Sequence, residues 1–288
     1  MKYAFIKEQQ FHFDVQLMCQ VLGVSRSGYY TFCRGKRSHR QLANQTLDMQ
    51  IKEIYSTHRG RYGTPRIHRE LKAQGCLYGR HRIARRLSVL GLKAKPKKRF
   101  VITTDSRHNL PVMPNLLARD FTTSAMNKKW VGDITYIWTT EGWMYLATII
   151  DLYSRAVIGW SLQETMTSEL VCNALLMALW RRGFPNDVIV HSDRGSQYCS
   201  DAYQLLIKQH QLKCSMSRKG NCWDNAVAES FFHTLKTELI YATDYQTKGE
   251  TKQNVFEYLE VYYNRKRRHS SIDYQTPYEF ENQLREAA

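Results

Sequence analysis

The chain has 288 residues and a formal net charge of +16, with 42 Lys and Arg against 26 Asp and Glu. Its most apolar stretch, Met144 to Trp160, carries Asp151 and Arg155, which excludes a membrane-spanning helix, and no secretory signal pattern opens the chain. Its seven cysteines form no Cys-x-x-Cys pair and no Cys/His cluster at zinc spacing, so neither a disulfide framework nor structural zinc is expected.

The charge is uneven. Residues 1–110 hold 23 basic and 6 acidic side chains, and residues 111–288 hold 19 and 20. A cationic N-terminal third ahead of a nearly neutral remainder points to a polyanion partner, nucleic acid first. In chain order, Val15 to Leu22 reads as a helix, Gly23-Val24 as a turn, and Ser25 as the cap of a second helix from Arg26, a helix-turn-helix pattern. Cys19 and Gly23 supply the small-residue spacing that lets two helices cross closely. The tract Arg34-Gly35-Lys36-Arg37 suits phosphate contact. Gln45 to His58 is predicted as a linking helix. Thr64 is placed to cap a helix over Pro65 to Gln74, and Gly79 opens another over Arg80 to Leu90. On that last helix Ile83, Leu87 and Leu90 point inward, while Arg82, Arg85 and Arg86 line the outer face. A solvated basic face would look the same. DNA contact is favoured because no acid lies between Glu70 and Asp105, and Lys97, Lys98 and Arg99 extend the charge.

A weakly periodic linker leads to strands at 130–137, 144–151 and 156–162 and a helix from a Ser168 cap to about Arg182. A strand at 187–193, a helix at 200–210 and a strand at 212–217 follow. The C-terminal piece reads as a helix to about Tyr263, then Asn264 to His269. There Arg265, Arg267 and Arg268 beside tyrosines suit DNA, with a plain basic surface turn as the alternative.

Three acids stand out. Asp133 interrupts the apolar run Trp130 to Ile137, where an unpaired carboxylate is costly unless it binds a cation. Asp193 closes the strand Val188 to Ser192 at the loop Arg194-Gly195-Ser196. Glu229 falls on a helix expected to start at Asn225 with Asp224 as its cap, opposite the inward face of Ala228, Phe231, Leu235 and Leu239. A lone glutamate there would be an ordinary solvated carboxylate. Three carboxylates from two strands and a helix can instead hold two hard divalent ions with oxygen ligands. His191 could tune Asp193, although a hydrogen-bonded structural role fits it better; for Asp151, pairing with Arg155 is the simpler expectation.

Asp133, Asp193 and Glu229, with thirty-five residues between the last two and Lys236 seven beyond, resemble the D-D-35-E signature of transposases and retroviral integrases. The runs Trp130 to Tyr136, His191 to Tyr198 and Asp224 to Phe232 are similar to OrfB-type transposases of the IS-three family of bacterial insertion sequences. The resemblance spans nearly the whole chain. It implies an α/β ribonuclease-H-like core, with a five-stranded mixed sheet and helices, behind all-α helix-turn-helix units. The expected divisions are a helix-turn-helix region (1–50), a second basic helical unit (51–110), a linker (111–127), the integrase-like core (128–240) and a basic helical extension (241–288). It further implies metal-dependent strand cleavage and transfer at terminal inverted repeats, with Asp133, Asp193 and Glu229 holding two Mg2+ or Mn2+ ions and Lys236 on a phosphate. Double-stranded DNA, a homo-oligomer on DNA, an upstream OrfA product or fusion, no membrane, and a cytoplasmic, nucleoid-associated location complete that expectation. A DNA-binding protein with a dead catalytic fold is a rival, but all three acids are present. A ribonuclease-H-type nuclease would leave the basic N-terminal region unexplained.

Overall fold

The computed structural model describes residues 1–35, 38–94, 111–218 and 222–287. It divides into two compact units, Met1–Ala94 and Lys95–Ala288. Among the described residues no helix is long and apolar enough to cross a membrane.

The first unit holds two small helical cores. In one, α1 (Lys2–Gln9), α2 (Val15–Val21) and α3 (Arg26–Cys33) bury Ile6, Met18, Cys19 and Tyr29. Asp14 caps α2 through the amides of Gln16 and Leu17, and Ser25 caps α3 through that of Gly28. The close approach expected at Cys19 and Gly23 lies elsewhere. Gly23 takes the left-handed turn at φ +61 with open space around it, whereas a Cβ on Gly28 would collide with the Tyr3 hydroxyl. In the other core, α4 (His39–Thr57), α5 (Thr64–Ala73) and α6 (Arg80–Val89) surround Leu47, Ile51, Tyr62, Ile67, Leu71, Ile83 and Leu87. A capping box of Ser38 and Gln41 starts α4. The Thr64 and Ser168 hydroxyls do not cap: Gly63 and Thr167 occupy those positions without a side-chain bond.

The second unit is built on β1 (Lys129–Thr139), β2 (Gly142–Asp151), β3 (Val157–Gln163), β4 (Ile189–Ser192) and β5 (Lys213–Met216), in the spatial order β3-β2-β1-β4-β5. The first three pair antiparallel as a meander; β4 joins β1, and β5 joins β4, in parallel. Parallel neighbours need crossovers, and α7 (Ser168–Arg182) and α8 (Asp201–Gln209) supply them. Alternation along the strands splits the core in two. Trp130, Ala147, Ile149 and Ile158 face α7 and α8, while Val131, Ile137, Leu146, Ile150 and Val157 face α9 (Ala226–Glu238) and the chain beyond it. Gly159 lets α7 lie against β3, since a Cβ there would strike the Ala174 carbonyl.

Residues 111–127, expected as a linker, are packed instead. Leu117 is buried in the α9-side core, the Leu116 and Leu117 amides donate to Ser215 Oγ, and Met216 N donates to the Pro114 carbonyl. Burial of one leucine and an edge supplied by β5 outweigh the weak periodicity of the segment. After α9, α10 (Lys248–Phe256) runs into a π-helical turn, Glu257–Tyr263, whose Tyr258, Tyr262 and Tyr263 enter the same core. Asn264 then closes the outer edge of β3: its Oδ1 accepts from Val157 N and its Nδ2 donates to Val157 O, both at 2.9 Å. Finally α11 (Pro277–Ala287) places Glu281 against Arg182.

Candidate active site

The sheet brings two of the three acids level. β1 and β4 pair through Lys129↔Ile189, Trp130↔Val190 and Val131↔His191, so Asp133 and Asp193 stand opposite each other two residues past the last pair. Period-two alternation puts both on the side of Val131 and His191. Asp133 sits mid-strand, paired in register with Thr148, and accepts from Ile134 N at 2.8 Å. Asp193 Oδ1 accepts from Gly195 N at 2.9 Å, which folds the loop leaving β4 into a tight turn.

Glu229 arrives on the first turn of α9. The expected start of that helix is corrected. Cys222–Asn225 form a 3-10 turn, and Asn225, not Asp224, stands at the N-cap. Asn225 Nδ2 donates to the Gly132 carbonyl at 3.3 Å, tying the helix start to the residue before Asp133. Asp224 is fully buried and holds Asn115, Arg119 and Arg218. Those bonds keep its carboxyl far below the usual carboxylate range despite burial.

The three carboxylates feel one another. Burial, then the Asp193 charge, with Glu229 a weaker contributor, pushes the Asp133 carboxyl well above its ordinary value, while the Ile134 amide and Lys236 offset part of the rise. Burial and Asp193 likewise raise Glu229. Lys236 lies with Nζ 5.1 Å from the Tyr136 ring centroid; burial lowers its pKa and the Asp133 charge pulls it back up. Tyr198 is buried behind the acids, its phenol pushed up by burial and then by Asp133. Among the described residues no three His, Cys, Asp or Glu stand as close as the ligands of a formed metal cage.

His191 is a satisfied core histidine. Nδ1 lies 2.8 Å from Ser215 Oγ and Nε2 3.1 Å from Ser217 Oγ, and burial lowers its pKa to about 4, so it is neutral at pH 7. Asp151 does not pair with Arg155 as expected. It accepts from the amide of Tyr153 in the turn after β2 and from that of Asn127 just before β1, and has Arg182 at 3.8 Å.

The basic candidates divide. Lys97, Lys98 and Arg99, and with them Lys36 and Arg37, lie outside the described residues. Arg86 is not on an unbalanced outer face: its Nε donates to Asp48 Oδ1 at 2.7 Å, across to α4. Arg82 donates to Asn44 and rests over Tyr78. Arg85 is exposed. Arg265 is exposed over the Tyr278 ring, and Arg268 donates to the Tyr274 carbonyl. Arg267 is 3% exposed and chelates Glu238, so it belongs to the core and not to a DNA-facing surface. Two outcomes follow for α6. Arg85→Ala should lower the slope of log affinity for DNA against log salt by about 0.9, the worth of one phosphate contact. Arg86→Ala should act mainly on the melting temperature of the helical unit. A salt titration beside a thermal melt separates them, and an unchanged slope for Arg85→Ala would remove that residue from the DNA surface.

An integrase core domain model matches residues 123–222, a second integrase core domain model matches 210–277, and an HTH-like domain model matches 42–100. The last covers most of α4 and all of α5 and α6. Transposase InsF for insertion sequence IS3A of Escherichia coli (strain K12) is 49% identical over 284 residues, covering 98% of this chain and 99% of that protein. The insertion element IS600 uncharacterized 31 kDa protein of Shigella sonnei is 45% identical over 271 residues, covering 94% and 100%. Among solved structures, the simian T-cell lymphotropic virus intasome in complex with PP2A regulatory subunit B56 gamma aligns with a TM-score of 0.46 and 17% identity, over 80% of this chain and 73% of that one. The HTLV-2 integrase catalytic core domain in complex with magnesium (trimeric form) aligns with a TM-score of 0.40 and 18% identity, over 54% and 95%. A meander of three strands followed by two parallel ones is the ribonuclease-H-like order, and near-full-length identity of 49% joins it to a helical N-terminal region: the chain belongs to the IS3-family OrfB-type DDE transposases, polynucleotidyl transferases that cleave DNA and transfer strands for an insertion sequence.

Proposed function

We propose that Asp133, Asp193 and Glu229 together hold two divalent ions, Mg2+ or Mn2+, and that the N-terminal helical units deliver the element's terminal inverted repeats to them. The observation that carries this is the crowding of buried acids, where burial first and then the Asp193 charge raise the pKa of both Asp133 and Glu229. Cations among them would relieve it, and an all-oxygen donor set suits hard ions. When bound, such ions polarise phosphoryl oxygens and activate water or a 3′-hydroxyl. The protein's own contribution is rigidity. Asp133 is fixed by the pairing of β1 with β2, Asp193 by its bond to Gly195 N, and Glu229 by the Asn225 tie to β1. Manganese titration of the full chain, followed by electron paramagnetic resonance, should give two ions per chain. A single ion, or none at millimolar concentration, overturns the reading. Action as a homo-oligomer on DNA, with an upstream OrfA product or fusion, extends it.

Lys236 is two turns beyond Glu229, roughly 10 Å along the axis. An ammonium is no metal ligand, and a point charge there suits a phosphate beside the scissile bond. Lys236→Ala should raise the DNA concentration needed for cleavage about tenfold, the worth of one charge-assisted contact. Lys236→Arg should recover part of the loss. The magnesium requirement at saturating DNA should not move; a shift would mean that Lys236 acts on the acids through its field at Asp133.

A further inference from the structure

Asp224 gathers two arginines that no motif of the sequence marks. Arg218 grips it as a fork, with Nε 3.0 Å from Oδ2 and Nη2 2.9 Å from Oδ1, and its backbone amide adds a third bond at 2.9 Å. Arg119 Nε reaches the same Oδ1 at 2.9 Å, and Asn115 Nδ2 reaches Oδ2 at 2.9 Å. Two guanidinium groups therefore converge on one carboxylate oxygen, leaving a local charge of about +1 by simple count. The carboxylate side chain is wholly buried, yet those of Arg119 and Arg218 are 45% and 55% exposed. Their exposure spares the guanidinium groups the full cost of desolvation and leaves part of each open to a ligand in solvent. Here Arg119 Nη1 and Nη2 and Arg218 Nη1 make no hydrogen bond among the described residues.

The backbone is held in an unusual shape to achieve this. Ala118 and Arg119 are both left-handed, at φ +48 and +65, a conformation that non-glycine residues avoid. Asn115 fixes it, its Oδ1 accepting from Ala118 N at 2.8 Å while its Nδ2 holds Asp224. Such over-determined strain collects at functional sites. The position is also telling. Asp224 directly precedes Asn225, which is tied to the Gly132 carbonyl beside Asp133, and stands in the 3-10 turn that leads into α9, five residues before Glu229 in the chain.

We propose that Arg119 and Arg218, oriented by buried Asp224, form a binding fork for a backbone phosphodiester of the DNA lying next to the carboxylates. Planar guanidinium groups with spare terminal nitrogens match phosphate oxygens, and the field of Asp224 fixes their directions before DNA arrives. The inference rests on the carboxylates being where the DNA is cut. Its test, however, needs no metal and no cleavage.

Arg119 has one bond to Asp224 where Arg218 has three, so Arg119→Gln leaves the carboxylate satisfied and is the informative variant. Binding of the full chain to an end-bearing duplex is measured without divalent ions, from 50 to 200 mM salt. Losing one phosphate contact should lower the salt slope by about 0.9, so the wild-type advantage shrinks about three- to fourfold across that range. Replacing single phosphates near the cleavage site by neutral methylphosphonates should find one position whose weakening of wild-type binding is clearly reduced in Arg119→Gln, where Arg218 alone remains. Arg119→Lys should restore the slope. An unchanged slope, or a methylphosphonate effect that is undiminished at every position in Arg119→Gln, would show that the arginines only neutralise Asp224. Failure of the carboxylate reading would appear separately, as normal manganese binding and cleavage by Asp133→Asn.

Discussion

Asp133→Asn is expected to abolish strand cleavage and joining while making the metal-free protein more stable. The loss of activity follows from the role proposed for the acids. Bound ions supply several kcal/mol of transition-state stabilisation, and every 1.36 kcal/mol is tenfold in rate, so a fall of about a thousandfold or more is expected. Asp193→Asn and Glu229→Gln should fall as far. The gain in stability follows from the raised pKa of Asp133. A carboxyl whose folded pKa lies above its unfolded value favours the protonated form in the native state. Its charge therefore weakens the fold as pH rises through the folded pKa, and that penalty is absent at low pH. Asparagine has the shape without the charge. The metal-free variant should melt a few degrees above the parent at pH 8 and level with it near pH 4, and magnesium should raise the parent's melting temperature far more than the variant's. Cleavage of end-bearing DNA and melts with and without magnesium decide both halves. Near-normal cleavage would remove Asp133 from the site. A lower melting temperature at pH 8 would mean that the Ile134 amide and Lys236 already satisfy its charge.

What the sequence made legible were features with a local cause. The apolar run of β1 around one acid, the Ser25 cap and the alternation of strand and helix after β3 all lie within a few residues of their signal, and the structure carries each. Features with a distant partner were hidden. Arg86 looked unbalanced because its acid, Asp48, is 38 residues away on another helix. Asp224 read as a helix cap because Asn115 and Arg119, which claim it, lie 109 and 105 residues upstream. The linker composition of 111–127 concealed a docking strip, since its hydrogen bonds go to Ser215 and Met216 across the fold. Gly23 drew attention by its spacing, whereas Gly28 carries the close approach because of Tyr3, which local pattern cannot reveal. The juxtaposition of Asp133 and Asp193 depends on parallel register between β1 and β4, again beyond any single segment.

Arg267 shows how far a hidden partner changes the expected result of a mutation. In a run of basic residues beside tyrosines it reads as a DNA contact, and Arg267→Met would then weaken binding and leave the fold alone. In the structure its side chain is 4% exposed and that of Glu238 is 7% exposed, joined by Nε and Nη2 bonds of 2.8 to 3.1 Å. Tyr258 Oη adds a bond of 2.9 Å to Glu238 from the π-helical turn. Burial alone would lower the Arg267 pKa, but Glu238 outweighs it and the guanidinium stays charged. Removing one member of such a pair strands the other's charge in the core, at a cost of about 3–5 kcal/mol. For a unit of this size each kcal/mol shifts the melting temperature by about 2–4 °C, so Arg267→Met should melt on the order of 10 °C lower. Adding Glu238→Gln should recover most of that loss, because the neutral amide still accepts from Tyr258 and leaves no unpaired charge. DNA affinity per folded molecule, and its salt slope, should match the parent in both variants. If the single variant melts normally while its salt slope drops, Arg267 leaves the core to meet DNA, and the buried pair with Glu238 is not its working partner.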